Sequence, residues 1–286
     1  MENKLKSIFV MLFINSAAIL MLLYAYLLIT NGFNFIFLGN VMVSFTISFL
    51  FAKAMLLHNT ARTSPNMWLR SSIILIGLFL VLYGFYNSPL NKIHLIPAIA
   101  LTIGWFLYVF WYSRFGKRSS DILEIGLQLP NFELEDGAKN KIKSSSFKGN
   151  PVIFMFYRGN WCPICMAQIK ELVQQYKTLE ERGAQVVLVS PQPHHFTKGL
   201  AKKFDVKFNF LVDVKNKVAK QLGIFHKNGL PAGMQVLGYD SDTVMPTLVI
   251  CDKNSKILFV DLTDNYRVRP EPEVFLQILD GTFKKV

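Results

Sequence analysis

Cysteine is scarce in this chain, with three residues among 286, all of them in the second half. So small and odd a number excludes a disulfide framework and suits one redox pair with a bystander. Acidic residues are almost missing from positions 1–118, where Glu2 stands alone against nine lysines and arginines. Four long apolar stretches in that region carry no cysteine, and Lys53 is their one charge away from the ends. A thiol relay across a bilayer is thereby excluded. A proton or ion path would need buried ionisable groups that the stretches hardly contain. The net charge of +12 gathers mostly at the flanks of the apolar runs. Nucleic-acid binding calls for a basic stripe on one folded face, so no nucleic-acid partner is expected.

The first half is instead rich in hydrophobic length. Residues 8–29, 33 to about 57, 71–86 and 93 to about 111 are each predominantly apolar, and about twenty such residues cross a bilayer. Trp68, Tyr83, Tyr86, Trp111 and Tyr112 lie near segment ends, where interfacial aromatics belong. A cleaved signal peptide could mimic only the first stretch, which is too long, lacks a clear small-residue cleavage site and has three more behind it. Asn15, Asn40 and the Ser/Thr residues of 44–48 read as interhelical hydrogen-bonding groups rather than ligands. Basic residues fall on alternate sides: Lys4 and Lys6, then Arg62 and Arg70 with Lys53 snorkelling, then Arg114, Lys117 and Arg118. The loops around 30–32 and 87–92 hold only Lys92. This asymmetry places both termini in the cytoplasm. Residues 1–118 are expected to form a four-span α-helical transmembrane bundle in contact with the lipid bilayer, as an anchor or a docking unit. Residues 119–286 follow as a separate domain.

That second region alternates strand-like and helix-like segments. Strands are expected over 151–157, 185–190, 208–212, 247–251 and 256–261, the last two as a hairpin across 252–255. Helices are expected over 163–182, 197–204, 215–222 and 270–283. Ile169, Leu172, Val173, Tyr176 and Leu179 recur at helical spacing and define one buried face. Alternation of this kind argues for a sheet covered by helices. Residues 223–245 show no clear element; the stretch is long enough to face substrate, and Leu230, Met234, Val236 and Leu237 argue for some packing.

Between the strand at 151–157 and the helix at 163–182 runs Trp161-Cys162-Pro163-Ile164-Cys165. Two cysteines three apart at a helix start can close a small disulfide, and the helix N-terminus favours the reactive thiolate. Strand, Cys-x-x-Cys and helix together are an arrangement of thiol–disulfide chemistry. A zinc half-site is the competing reading. It would need two more ligands from Cys251, His194, His195 and His226, none of which forms a second pair, so no metal and no cofactor is expected. Cys251, in a strand-like run, reads as a buried apolar thiol. His194 and His195 read as loop histidines.

Residues 122–286 resemble the thioredoxin-like superfamily, and within it the peroxiredoxin-like redoxins of the alkyl hydroperoxide reductase/thiol-specific antioxidant type. Three segments carry the resemblance: 126–151 with its Gly126–Leu134, Asp136-Gly137 and Ser146–Pro151 pieces, the block 154–165, and Met245-Pro246-Thr247, which is similar to a cis-proline loop. The run 264–272 completes a pattern similar to a bacterial redoxin group. The resemblance implies a thioredoxin-like α/β domain with the redox-active pair Cys162 and Cys165; with the apolar stretches and their charge asymmetry, a bacterial inner-membrane protein with this domain in the cytoplasm is expected. In the dithiol reading Cys162, the more exposed sulfur, attacks a protein disulfide and Cys165 resolves. In the peroxidase reading Cys165 is peroxidatic and Cys162 resolves. A non-catalytic redox sensor is the third reading. The first two require an external thiol reductant, thioredoxin- or glutathione-like. Trp161, Pro163, Pro246, Thr247 and Arg158 are the implied supporting residues, Arg158 either as a substitute positive charge or as a solvated rim arginine. The sequence departs from the resembled pattern: Cys162 stands where peroxiredoxins carry threonine, Met245-Pro246 stands where their catalytic arginine is expected, and Phe156 replaces the buried acid of thioredoxins.

Overall fold

A computed structural model of the protein describes residues 1–87 and 92–283. Part of the 87–92 loop that enters the charge comparison therefore lies outside the described residues. The chain divides into two compact units, Met1–His58 with Thr63–Arg114 and Asn59–Arg62 with Phe115–Val286.

The first unit is helical. Its helices α1 (Glu2–Thr30), α2 (Phe35–Leu57) and α3 (Trp68–Asn87), together with the stretch Lys92–Tyr112 that contains α4 (Leu95–Leu107), are long and apolar enough to cross a membrane. Helices in lipid gain little from hydrophobic burial and pack through small residues that let backbones approach. Gly39 and Gly77 face each other across α2 and α3, where a Cβ on either would collide with the other's backbone or with Val43 and Val81 side chains. Gly104 of α4 likewise lies against the Phe13 ring. The polar groups behave differently from the expectation drawn above. Asn15, Ser44 and Thr46 each donate back to a carbonyl four residues earlier in their own helix. Only Asn40 also reaches outside α2, donating to the His94 carbonyl at 3.0 Å. An interhelical bond arises where none was expected, from Trp105 Nε1 to Ser71 Oγ at 2.9 Å. A short hydroxyl satisfies its own helix more cheaply than it reaches a neighbour.

The second unit is an α/β domain. Its strands are β1 (Glu133–Glu135), β2 (Lys141–Lys143), β3 (Val152–Phe156), β4 (Gln185–Ser190), β5 (Asn209–Val212), a small pair β6 (Phe225–His226) and β7 (Thr243–Val244), then β8 (Thr247–Cys251) and β9 (Ile257–Asp261). The main sheet has the order β2-β1-β5-β4-β3-β8-β9, with β3, β4 and β5 parallel and β8 antiparallel to β3. Its helices are α5 (Pro163–Gln174), α6 (Tyr176–Glu181), α7 (His194–Phe204), α8 (Lys217–Gln221) and α9 (Pro272–Leu279). This sheet order with its flanking helices is the thioredoxin-like α/β domain that the sequence resemblance implies.

All five residues of β3 are buried, because successive side chains enter opposite layers of the core. Val152, Phe154 and Phe156 join the layer with Leu134, Phe147 and Val249. Ile153, Met155 and Tyr157 join the layer that holds Ile169, Leu172, Phe275 and both cysteines of the pair. The sheet thus positions the Cys-x-x-Cys segment just beyond the carboxyl end of its central strand.

Candidate active site

Cys162 is the N-cap of α5, with extended backbone, and its Sγ receives the Cys165 N–H at 3.4 Å. Pro163 occupies the first helical turn, where a missing N–H costs nothing and the ring presets the backbone. The Cα atoms of Cys162 and Cys165 are 5.3 Å apart and the two sulfurs are joined in a disulfide. Both residues are sealed, at 2 % and 0 % exposure. Cys162, expected to be the more exposed of the two sulfurs, is thus itself buried in the disulfide form, with Trp161 packed in the same cluster.

The segment leading into the pair is fixed from both sides. Tyr157 is fully buried, its hydroxyl accepting from Gln192 Nε2 at 3.1 Å, and burial pushes its phenol well above the ordinary range. The Gln192 carbonyl oxygen accepts from the Asn160 backbone N–H at 2.8 Å. Gly159 has φ +147, and a Cβ there would lie 2.5 Å from Trp161 Nε1, so only glycine lets the indole settle against the turn. Arg158 is 6 % exposed, which excludes the solvated-rim alternative. Its guanidinium lies 4.7 Å from the Trp161 ring centroid and 5.8 Å from that of Tyr266, and it donates to the Gly229 carbonyl.

Thr247 begins β8 opposite Phe156 of β3, at the same end of the sheet. Its hydroxyl accepts from Arg118 at 2.6 Å and donates to the Met245 carbonyl at 2.8 Å. Arg118 also donates to the Pro246 carbonyl at 3.0 Å. The likeness to a cis-proline loop does not extend to the peptide bond, since no described residue follows a cis peptide bond and Met245–Pro246 is trans. A backbone anchored by the half-buried Arg118 holds this corner instead.

Several site residues escaped the sequence reading. Arg269 is 8 % exposed, donates to Gln168 Oε1 at 3.0 Å and brings Nη2 to 3.9 Å from Cys165 Sγ. Burial lowers its pKa to about 10, with the charges of Arg158 and Arg118 acting in the same direction and Asp261 opposing them. Arg118, counted above only as a membrane-flanking charge, is likewise lowered to about 10 by burial. Arginine is thus restored beside the sulfur although the position before β8 lacks it. The one available signal was the run 264–272, which sequence spacing alone does not connect to Cys165. Gln192 and Gln168 carried no signal at all.

The remaining candidates lie apart from this constellation. Cys251 is free and 1 % exposed, and burial with the neighbouring Asp252 charge pushes its thiol up to about 12, as befits an inert apolar cysteine. His194 is not in a loop: it opens α7 and pairs with Glu135 at 2.7 Å. His195 packs against Phe196, and His226 against Phe115. Among the described residues no group of three or more His, Cys, Asp and Glu side chains is arranged to hold a metal.

Residues 125–260 match the AhpC/TSA family. The chain is 25 % identical over 173 residues to the thiol-disulfide oxidoreductase ResA of Bacillus cereus, covering 60 % of this chain and 86 % of that protein. It is 35 % identical over 95 residues to the chloroplastic peroxiredoxin Q of Triticum aestivum, covering 33 % of this chain and 44 % of that protein, so less than half of that relative is matched. Among solved structures, peroxidoxin BcpB of Mycobacterium tuberculosis aligns with a TM-score of 0.46 at 20 % identity, over 57 % of this chain and 99 % of that one. The matched region is similar to the peroxiredoxin-like redoxins, and the relatives named by sequence are thiol-dependent oxidoreductases.

Proposed function

We propose that this redoxin domain is a thiol–disulfide oxidoreductase that cycles Cys162 and Cys165 between dithiol and disulfide. The observation that carries the reading is the pairing itself: two sulfurs joined at the N-terminus of a 12-residue helix, with the third thiol sealed away. In the reductive half, the Cys162 thiolate attacks one sulfur of a substrate disulfide. A mixed disulfide forms and one substrate thiolate leaves. The Cys165 thiolate then attacks Cys162 Sγ, the mixed disulfide breaks, and the second substrate thiolate leaves. Two electrons pass to the substrate, whose thiolates take up the two protons given up by the pair. An external thiol reductant, thioredoxin- or glutathione-like, returns the pair to the dithiol. Trp161, Pro163, Arg158, Thr247 and Pro246 support this centre by shaping the approach and fixing the turn.

Arg269 beside Cys165 favours a second reading. In it the Cys165 thiolate attacks a hydroperoxide, becomes a sulfenic acid and releases the alcohol or water. Cys162 then condenses with it, releasing water and forming the same disulfide. The guanidinium would hold the thiolate and the leaving oxygen. Purified full-length protein supplied with dithiothreitol separates the two. The dithiol reading expects insulin reduction, its loss in Cys162→Ser, and a trapped mixed disulfide in Cys165→Ser. If Cys165→Ser abolishes reaction with peroxide while Cys162→Ser still consumes one equivalent, the peroxidase reading stands instead.

The four apolar helices are compatible with a membrane protein. The proposed setting is a bacterial inner membrane with the redox domain on the cytoplasmic side, supported by the Lys/Arg asymmetry of the flanks.

A further inference from the structure

Arg158 is a buried cation without a carboxylate partner. Its guanidinium donates to the Gly229 carbonyl and faces the Trp161 and Tyr266 rings, and its Nε–H has no hydrogen-bond partner. An uncompensated buried charge is costly, so its retention calls for a reason beyond packing. Fixing the turn, its supporting role in the dithiol centre, needs no charge there, and the helix terminus and Arg269 already serve the sulfurs.

The guanidinium lines a cleft with Trp161, Leu230, Tyr239, Asp240 and Asp242. Trp161 is the residue immediately before Cys162 and packs in the same cluster, so one wall of the cleft leads to the pair. The cleft is therefore lined by a cation, by the Trp161, Leu230 and Tyr239 side chains, and by two carboxylates, of which Asp242 also accepts from the Asn228 N–H at 2.8 Å. A bare anion would be attracted by Arg158 and repelled by Asp240 and Asp242. An ammonium group alone would meet the reverse. A group bearing both charges on one carbon satisfies both sides.

Resting on the dithiol reading, the geometry points to a subsite for an α-amino-acid head group, carboxylate on Arg158 and ammonium on Asp240 and Asp242, carried by a low-molecular-weight disulfide such as cystine. As it stands, the cleft holds about 10 Å³, roughly one water. A head group therefore enters as the 229–243 segment moves outward. That segment is held to the pair's leading residues by three hydrogen bonds, from Arg158 to Gly229, from Thr243 Oγ1 to the Arg158 carbonyl, and from Tyr239 to Asn160 Oδ1. Within it Gly233 and Gly238 both adopt φ +89, conformations at which glycine gives the backbone freedom. A carboxylate arriving at Arg158 replaces the carbonyl of Gly229 with a stronger, charge-assisted acceptor, which releases one of the three ties.

Binding is read without turnover by calorimetric titration of the full-length protein with cystathionine, the thioether analogue that cannot be reduced. Saturable binding is expected, at least tenfold tighter than to thiodipropionate, which lacks the ammonium groups, and than to thiodiglycol, which lacks both charges. Arg158→Gln and Asp240→Asn should each weaken it at least fivefold, with Arg158→Lys between wild type and Arg158→Gln. In turnover, kcat/KM for cystine relative to neutral hydroxyethyl disulfide should fall tenfold in Arg158→Gln. A merely structural role would lower both substrates together. Absence of cystathionine binding, or equal affinity for the three thioethers, overturns the proposal whether or not any variant folds. Cystathionine binding by a protein that reduces neither disulfide leaves the subsite standing and removes the dithiol reading instead.

Discussion

Arg269 shows how one side chain sets the reactivity of another. Its Nη2 lies 3.9 Å from Cys165 Sγ in a buried position, so its charge acts on the sulfur with reduced screening. A cation at that distance favours thiolate over thiol, by roughly 1–3 pKa units for close opposite charges. In a Cys162→Ser background, Arg269→Gln should raise the pKa of the Cys165 thiol by about 1 unit or more, read from thiolate absorbance against pH. The effect has a sign and a window. Burial lowers Arg269 to about 10, still far above neutral, so the guanidinium stays charged and its support of the thiolate holds across the physiological range. A thiol pKa indifferent to Arg269 would mean that the helix terminus alone activates the sulfur. Nothing in the spacing of the sequence joins residue 269 to residue 165. Their encounter depends on α9 and its preceding loop returning to the face of the sheet that holds α5, which is a tertiary event.

At the scale of the element, the strand–turn–helix around the pair is tightly constrained. Gly159 combines φ +147 with an indole against its Cα. Gly159→Ala should cost about 1–3 kcal/mol, seen as a lower thermal midpoint, and it should expose Trp161, seen as a red shift of its emission in a Trp161-only background. An unchanged midpoint would show that the turn relaxes without the glycine. The elements around it were legible to different degrees. Strands β3, β4, β8 and β9 follow from short apolar runs between turn residues. The helix expected over 163–182 divides at Gln175 into α5 and α6. Its apolar spacing continues across the break, so Ile169, Leu172 and Leu179 all reach the core while Val173 and Tyr176 are only partly buried. Periodicity reports a face and is blind to a one-residue interruption that keeps that face. In 223–245, β6 and β7 pair over two residues each, too short to leave a periodic trace. Of the apolar residues there, Leu230 is buried at 1 % exposure, while Val236 and Leu237 stand out at 88 % and 58 %. Local hydrophobicity predicted packing for all of them, but the turn between Gly233 and Gly238 presents those two outward.

At the scale of the whole molecule, a helical unit with four candidate spans is joined to a redoxin domain. The sequence marks a boundary near 118 by composition, with one acid among the first 118 residues, and the compact units divide at Arg114 and Phe115. The side of the membrane is read only from charge asymmetry. A C-terminal fusion to a reporter active solely in the cytoplasm should give signal, and a periplasm-only reporter should give none. The reverse pattern would move the domain to a compartment with a different electron donor. The proposed activity depends on two sulfurs exchanging a bond while a third stays inert. The most direct measurement counts alkylated thiols by mass after denaturation, on full-length protein that has been either mildly oxidised or reduced. One modified cysteine, Cys251, is predicted after oxidation and three after reduction, with a difference of two protons before labelling. Three modified cysteines in both states would contradict the account.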